Sequence, residues 1–299
     1  MNTQITYYDR ISGRINIEKI HANRFLTWCY NSNLGQLATA LIFRRKYFSR
    51  IYGRVNKSRL SKFKIKRFIQ NMEIDLAESL KRIDEFTDFN DFFIREIDLK
   101  RRPINPDPNT CISPVDGKVL AFQTLPLSHT FRIKRSIFTL ATFLKDDKLT
   151  GMFMEGSMVI CRLTMANYHH FHFPDAGIAE SAVFIAGKYD ASGPYALNKL
   201  IPFYNENYRQ RTIFHSDHFN TMLIVEIGAC TVGSIQQRFQ AGVHVEKGVH
   251  KGFFEMGGST VVLLFQKGCI QLDTDLCLNT QNELETYVQL GESIGKRKE

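Results

Sequence analysis

The sequence predicts an α+β protein: a helical, basic region over residues 1–102, then a mostly β core of sandwich or barrel type over residues 103–299. Three observations predict it. Ile65, Phe68, Ile69, Met72, Leu76 and Leu80 recur at the spacing of one helix face. The run Arg102-Pro103-Ile104-Asn105-Pro106-Asp107-Pro108 then places three prolines where no helix can continue. After it, short apolar runs alternate with Gly, Pro and Asp, the pattern of strands and turns.

The helical reading extends from about residue 15 to 90 and includes the acidic stretch Glu73–Asp88, which keeps the same apolar periodicity. The start of the chain has no basic segment followed by an apolar one, so no signal peptide is expected. Its apolar runs fall short of the roughly 20 residues that a spanning helix needs. Charge is concentrated here: residues 1–102 hold 21 Lys and Arg against 11 Asp and Glu, and the remainder holds 18 against 19. From Arg44 to Arg67 there are 11 basic residues and no acid, interleaved with Tyr47, Phe48, Ile51, Tyr52, Leu60, Phe63 and Ile65 and preceded by the apolar segment Leu34–Phe43. Such a stretch suits the surface of an anionic bilayer, and by charge alone it suits nucleic acid equally well.

In the core, strands are expected at Val115–Phe122, Met158–Thr164, Ile178–Ala186, Met222–Ile227, Thr231–Gln236 and Thr260–Gln266. The six cysteines, Cys29, Cys111, Cys161, Cys230, Cys269 and Cys277, form no Cys-x-x-Cys pair, which argues against a zinc ribbon or disulfide scaffold and for a reducing compartment.

Three core segments carry candidate chemistry. Ser113-Pro114-Val115-Asp116-Gly117-Lys118 sets a carboxylate at a turn into a strand. Tyr168-His169-His170-Phe171-His172-Phe173-Pro174 holds three of the nine histidines; strand alternation puts His170 and His172 on one face and His169 on the other, so no shared metal is expected. Gly257-Gly258-Ser259-Thr260 precedes the run Val261–Phe265. Alone it reads as a turn feeding a strand. Asp, His and Ser together make a base-and-nucleophile set, and the absence of a G-x-S-x-G elbow separates it from the usual hydrolase. A Ser directly after two glycines is placed to attack the carbonyl before it.

In order, Phe89-Asn90-Asp91-Phe92-Phe93-Ile94-Arg95, Arg102-Pro103, Ser113-Pro114-Val115-Asp116-Gly117, Tyr168–Pro174 and Gly257-Gly258-Ser259-Thr260 resemble the motifs of phosphatidylserine decarboxylases, over roughly residues 85–266. Two positions depart: Asn167 stands where the family often has Asp, and His170 where it commonly has Arg.

The resemblance implies a proenzyme that cuts itself at Gly258-Ser259 into a large subunit, 1–258, and a small one, 259–299. Ser259 would attack the Gly258 carbonyl, His172 would take its proton, and Asp116 would orient that imidazole. Residue 259 would end as a pyruvoyl cofactor that forms a Schiff base with phosphatidylserine, and His169 would serve the acid–base step of decarboxylation. A lipid substrate favours the anionic membrane surface over nucleic acid as partner, with peripheral attachment at the cytoplasmic face of the cell membrane. A homodimer of the two-subunit unit is compatible with the resemblance. The alternative is a Ser-His-Asp hydrolase of lipid or peptide whose chain stays intact.

Overall fold

The computed structural model describes residues 6–19, 28–29, 32–39, 41, 46–126, 130–133, 136–188, 206–228, 235–256 and 259–298. Its centre is an 11-stranded sheet. The strands that position the site are β1 (Thr6–Asp9), β2 (Arg14–Ile17), β3 (Gly117–Phe122), β4 (Ser157–Leu163), β6 (Gly177–Ala179), β7 (Arg209–Ser216), β8 (Thr221–Gly228), β10 (Ser259–Phe265) and β11 (Glu285–Val288). They run in the order β6-β7-β8-β10-β4-β3-β11-β1-β2. A smaller sheet holds β5 (His170–His172) beside β9 (His250–Phe254).

Strand β10 explains why an unbroken apolar run is a strand here. It lies between β8 and β4 with every residue buried, and a strand covered on both faces needs no polar alternation. Val261, Leu263 and Phe265 enter one core with Val119, Cys161 and Ile224. Val262 and Leu264 enter a second with Leu120, Ile160 and Leu223, closed by Phe143 and Phe153 from the helices Leu140–Leu144 and Asp147–Phe153. Burying each such side chain contributes about 1.5–3 kcal/mol. The sheet therefore has a second sheet over one face and short helices over the other.

The predicted strands appear with small shifts in their ends. The run expected over Ile178–Ala186 is split into Gly177–Ala179 and Val183–Ile185. Of Thr231–Gln236, residues 231–234 and the neighbouring Cys230 lie outside the described residues, and Ile235–Gln237 is a strand.

The first 102 residues differ from a separate helical region. Residues 6–17 form a hairpin whose first strand adds in parallel to β11, inside the main sheet. Glu18, just past it, accepts from Arg162 and Lys118, while Arg162 also holds Glu285; all four side chains are buried. Helices follow at α1 (Asn33–Ala38), α2 (Lys46–Asn56), α3 (Phe63–Met72) and α4 (Phe89–Phe93). The stretch Glu73–Asp88 is turns with one short 3-10 segment, Leu76–Glu78, because Glu73 turns left-handed (φ 51°) and ends α3. Ile65 and Phe68 of α3 pack on Phe86, Phe89, Phe92 and Phe93, with Met256 in the same cluster. Arg102, at the predicted boundary, is instead tied into the core by Asp116. Among the described residues no helix is long and apolar enough to cross a membrane.

Candidate active site

The site is built where β10 begins. Ser259 pairs with Leu163 and Gly228 and is fully buried. The chain leaving β4 turns at Thr164–Asn167, where the Asn167 side-chain carbonyl accepts from both the backbone N–H and the hydroxyl of Thr164, each at 2.7 Å. That turn delivers Tyr168 and the histidine segment.

His169 is the histidine that meets the serine. Its Nδ1 lies 3.2 Å from Ser259 Oγ, and its Nε2 lies 3.0 Å from the Thr164 carbonyl oxygen. A carbonyl only accepts, so Nε2 carries the proton and Nδ1 is left as the basic nitrogen. The ring stacks on Phe93 at 3.9 Å. Complete burial, reinforced by the nearby Arg95 charge, holds this imidazole well below its ordinary range, so it is neutral at physiological pH.

His172 is engaged elsewhere. Its Nδ1 donates to the Gly248 carbonyl at 2.9 Å, and its Nε2 accepts from the Tyr168 hydroxyl at 3.3 Å. Burial pushes it down to about 4. His170 donates from Nε2 to the Ile94 carbonyl, meets His250 through Nδ1 and stacks on Tyr168; burial pushes it down to about 3. With both its nitrogens occupied, His170 packs where the family commonly carries Arg.

Asp116 is not a partner of His172. Its carboxylate accepts from Arg102, at 3.0 Å from Nε and 2.8 Å from Nη2, and from the backbone N–H of Leu290 at 2.8 Å. The expected Asp116–His172 hydrogen bond is thus replaced by an ion pair, because Arg102 saturates the carboxylate and turns its other edge to Glu78. The charge of Asp116 still reaches Tyr168, adding to the burial that pushes this phenol up. Likewise the expected His172–Ser259 contact is taken by His169. Gly258 of the expected Gly258-Ser259 cleavage site, and Gly257 before it, lie outside the described residues.

A cavity of about 590 Å³ opens beside the turn, lined among others by Arg95, Arg102, Asp116, Thr164, Asn167 and Tyr168. Arg95 and Arg102 stand in the sequence motifs without a role there; a basic residue fixed at a motif end was the available signal.

A family model described as phosphatidylserine decarboxylase matches residues 89–296. The chain is 39% identical to the "Phosphatidylserine decarboxylase proenzyme" of Clostridium beijerinckii, over 98% of this chain and 99% of the relative. It is 40% identical to the protein of that name from Clostridium tetani, over 98% of each, and 38% identical to that of Clostridium perfringens, over 98% and 100%.

Proposed function

The chain belongs to the phosphatidylserine decarboxylase family, and on that premise we propose that it is a proenzyme that opens its own backbone at Gly258-Ser259 and decarboxylates phosphatidylserine to phosphatidylethanolamine and CO2 with a pyruvoyl group formed at residue 259. The observation that carries this reading is the basic nitrogen of His169 on Ser259 Oγ, at the head of a buried strand and directly after two glycines. The hydrolase alternative finds no support in the relatives, whose shared name is that of a decarboxylase proenzyme.

In maturation, Ser259 Oγ adds to the Gly258 carbonyl carbon and the bond to the Ser259 nitrogen breaks, giving an ester. Loss of the Ser259 α-proton then expels the upstream chain as a carboxylate and leaves dehydroalanine, whose hydration releases ammonia. Two neutral imidazoles serve the site. Taking a proton onto His169 sets a second cation near Arg95, whereas no guanidinium opposes it at His172. His172 is thus the second candidate base for the Ser259 hydroxyl. We assign it to maturation, where it must exchange the Tyr168 hydroxyl for that of Ser259; Asp116 bears on it through the Tyr168 phenol, whose proton its charge helps to retain.

A pyruvoyl group fits the position of Ser259: it would keep the three-carbon skeleton and is no larger than serine, and although Oγ departs with the upstream carboxylate, His169, held through Nε2 by the Thr164 carbonyl, would remain beside residue 259. When present it supplies the electrophilic ketone and electron sink that ordinary side chains lack. His169 then holds and delivers the proton at the carbon that loses CO2, with Phe93 covering its ring.

The reading also takes the basic region to an anionic membrane surface at the cytoplasmic face. Leu34, Leu37, Leu41, Ile51, Leu60 and Phe63 are exposed although large and apolar, with exposed Arg54, Arg59, Lys62, Lys66 and Arg67 among them. The five described cysteines are free thiols, which suits a reducing compartment.

The test is incubation with phosphatidylserine vesicles. CO2 and phosphatidylethanolamine are expected from the wild type and neither from Ser259→Ala. Undiminished CO2 release by Ser259→Ala would overturn the reading.

A further inference from the structure

Arg95 is a buried cation of the cavity that no carboxylate pairs with among the described residues. It follows α4, is 7% exposed, lies 5.1 Å over the Phe92 ring, and donates from Nη2 to the Ala166 carbonyl at 2.7 Å. Its Nη1 is buried and has no hydrogen-bond partner among the described residues. The other cations on the cavity wall are matched: Arg102 by Asp116 and Glu78, Lys118 by Glu18, and Lys19 by Glu73. An unfilled charged donor in dry surroundings is costly unless a ligand fills it. Burial lowers this guanidinium only to about 10, so it remains a cation at neutral pH.

Its placement ties it to the reacting atoms. Ala166 is in the turn whose Thr164 carbonyl holds His169, and Asn167 fixes that turn. The unpartnered guanidinium edge and the imidazole on Ser259 therefore hang from one short piece of backbone.

We infer that Arg95 is the anion-binding residue of the substrate site, its Nη1 receiving the phosphodiester of the lipid headgroup that reacts at residue 259. This rests on the decarboxylase reading. The headgroup offers two anions, a carboxylate and a phosphodiester. A guanidinium on the carboxylate would stabilise the ground state and lose its partner as CO2 departs, which raises the barrier. The phosphodiester keeps its charge throughout, so pairing it with Arg95 tightens binding without opposing the chemistry, and Arg matches phosphate oxygens in charge and geometry.

Two measurements test this. In the first, cleaved wild type, Arg95→Lys and Arg95→Met decarboxylate a dispersed short-chain phosphatidylserine while short-chain phosphatidylethanolamine competes; the competitor keeps the phosphodiester and lacks the carboxylate. Arg95→Met is expected to raise KM and the competitor's inhibition constant together, each roughly 10- to 100-fold, with kcat within about threefold, and Arg95→Lys to recover part of both. A raised KM with an unchanged inhibition constant would move Arg95 to the carboxylate and overturn the assignment. A fall in kcat alone, or no change in either constant, would overturn the anion site. In the second, the Ser259→Ala chain, with and without Arg95→Met or Arg95→Lys, is titrated with the same phosphatidylethanolamine. A 10- to 100-fold loss of affinity on Arg95→Met is expected, and equal affinities would refute the site whether or not the wild type turns over. Failure of wild-type turnover would count against the decarboxylase reading alone.

Discussion

His169 Nδ1 lies 3.2 Å from Ser259 Oγ while the other ring nitrogen is held by the Thr164 carbonyl. The two residues are 90 positions apart and meet because β10 starts opposite Leu163, at the end of the strand whose following turn carries His169. The tautomer is fixed by a backbone acceptor, so the basic nitrogen faces residue 259 before and after any change there. Among the described residues, no other imidazole reaches that hydroxyl.

From this contact, His169→Ala is expected to cut decarboxylation per cleaved chain by roughly 100-fold or more, the usual contribution of a placed acid–base group. His172→Ala is expected instead to slow the cleavage itself by a similar factor. Time courses of fragment appearance and of CO2 release separate the two. A His169→Ala chain that fails to cleave would assign both steps to one imidazole and contradict the division.

Acid should destabilise the fold earlier than carboxylate titration alone would. Burial lowers His169, His170 and His172 below 6.5, the last two to about 3 and about 4. Below about pH 6.5 the unfolded chain binds protons at these positions that the folded chain refuses, so stability is complete above that pH and falls as pH drops toward the folded values. The urea midpoint of the Ser259→Ala chain is expected to be flat from about pH 8 to 7 and to decline from about pH 6.5 to 5. A midpoint constant down to pH 5 would contradict buried neutral histidines.

The N-terminal hairpin is expected to be needed for the core. Removing residues 1–19 takes Glu18 from Arg162 and Lys118, leaving buried positive charge short of a partner. A loss of about 3–5 kcal/mol follows from breaking such a buried pair. Thermal unfolding of the Ser259→Ala chain with and without residues 1–19 measures it, and equal midpoints would show the hairpin to be dispensable.

Membrane attachment is expected to depend on exposed apolar side chains that support nothing within the fold. Leu60 is 81% exposed and Phe63 78%. Leu60→Ser combined with Phe63→Ser should weaken sedimentation with anionic liposomes severalfold and leave the unfolding midpoint nearly unchanged. Unaltered sedimentation would remove this surface from the account of binding.

What the sequence made legible was whatever local pattern controls. Thr260–Gln266 reads as a strand because its first six residues are all apolar or β-branched, and three prolines after Arg102 do end the helical grammar. The strand partners were not legible. Tyr7 and Tyr8 look like an unremarkable polar start until pairing with Glu285 and Thr286 makes them part of the sheet. The same holds at the site. Ser259, His169, His172 and Asp116 were recognisable by type and order, but which imidazole touches the serine depends on the Thr164–Asn167 turn, and which cation takes Asp116 depends on Arg102 folding back across the proline run. Those contacts are made by tertiary placement, to which residue spacing is blind.

The central claim is that Ser259 is consumed in making the active form, and intact mass under denaturing conditions tests it most directly. Protein that releases CO2 from phosphatidylserine is expected to resolve into two chains broken between residues 258 and 259, the smaller blocked at its N-terminus. A single 34.5 kDa species from equally active protein would contradict it.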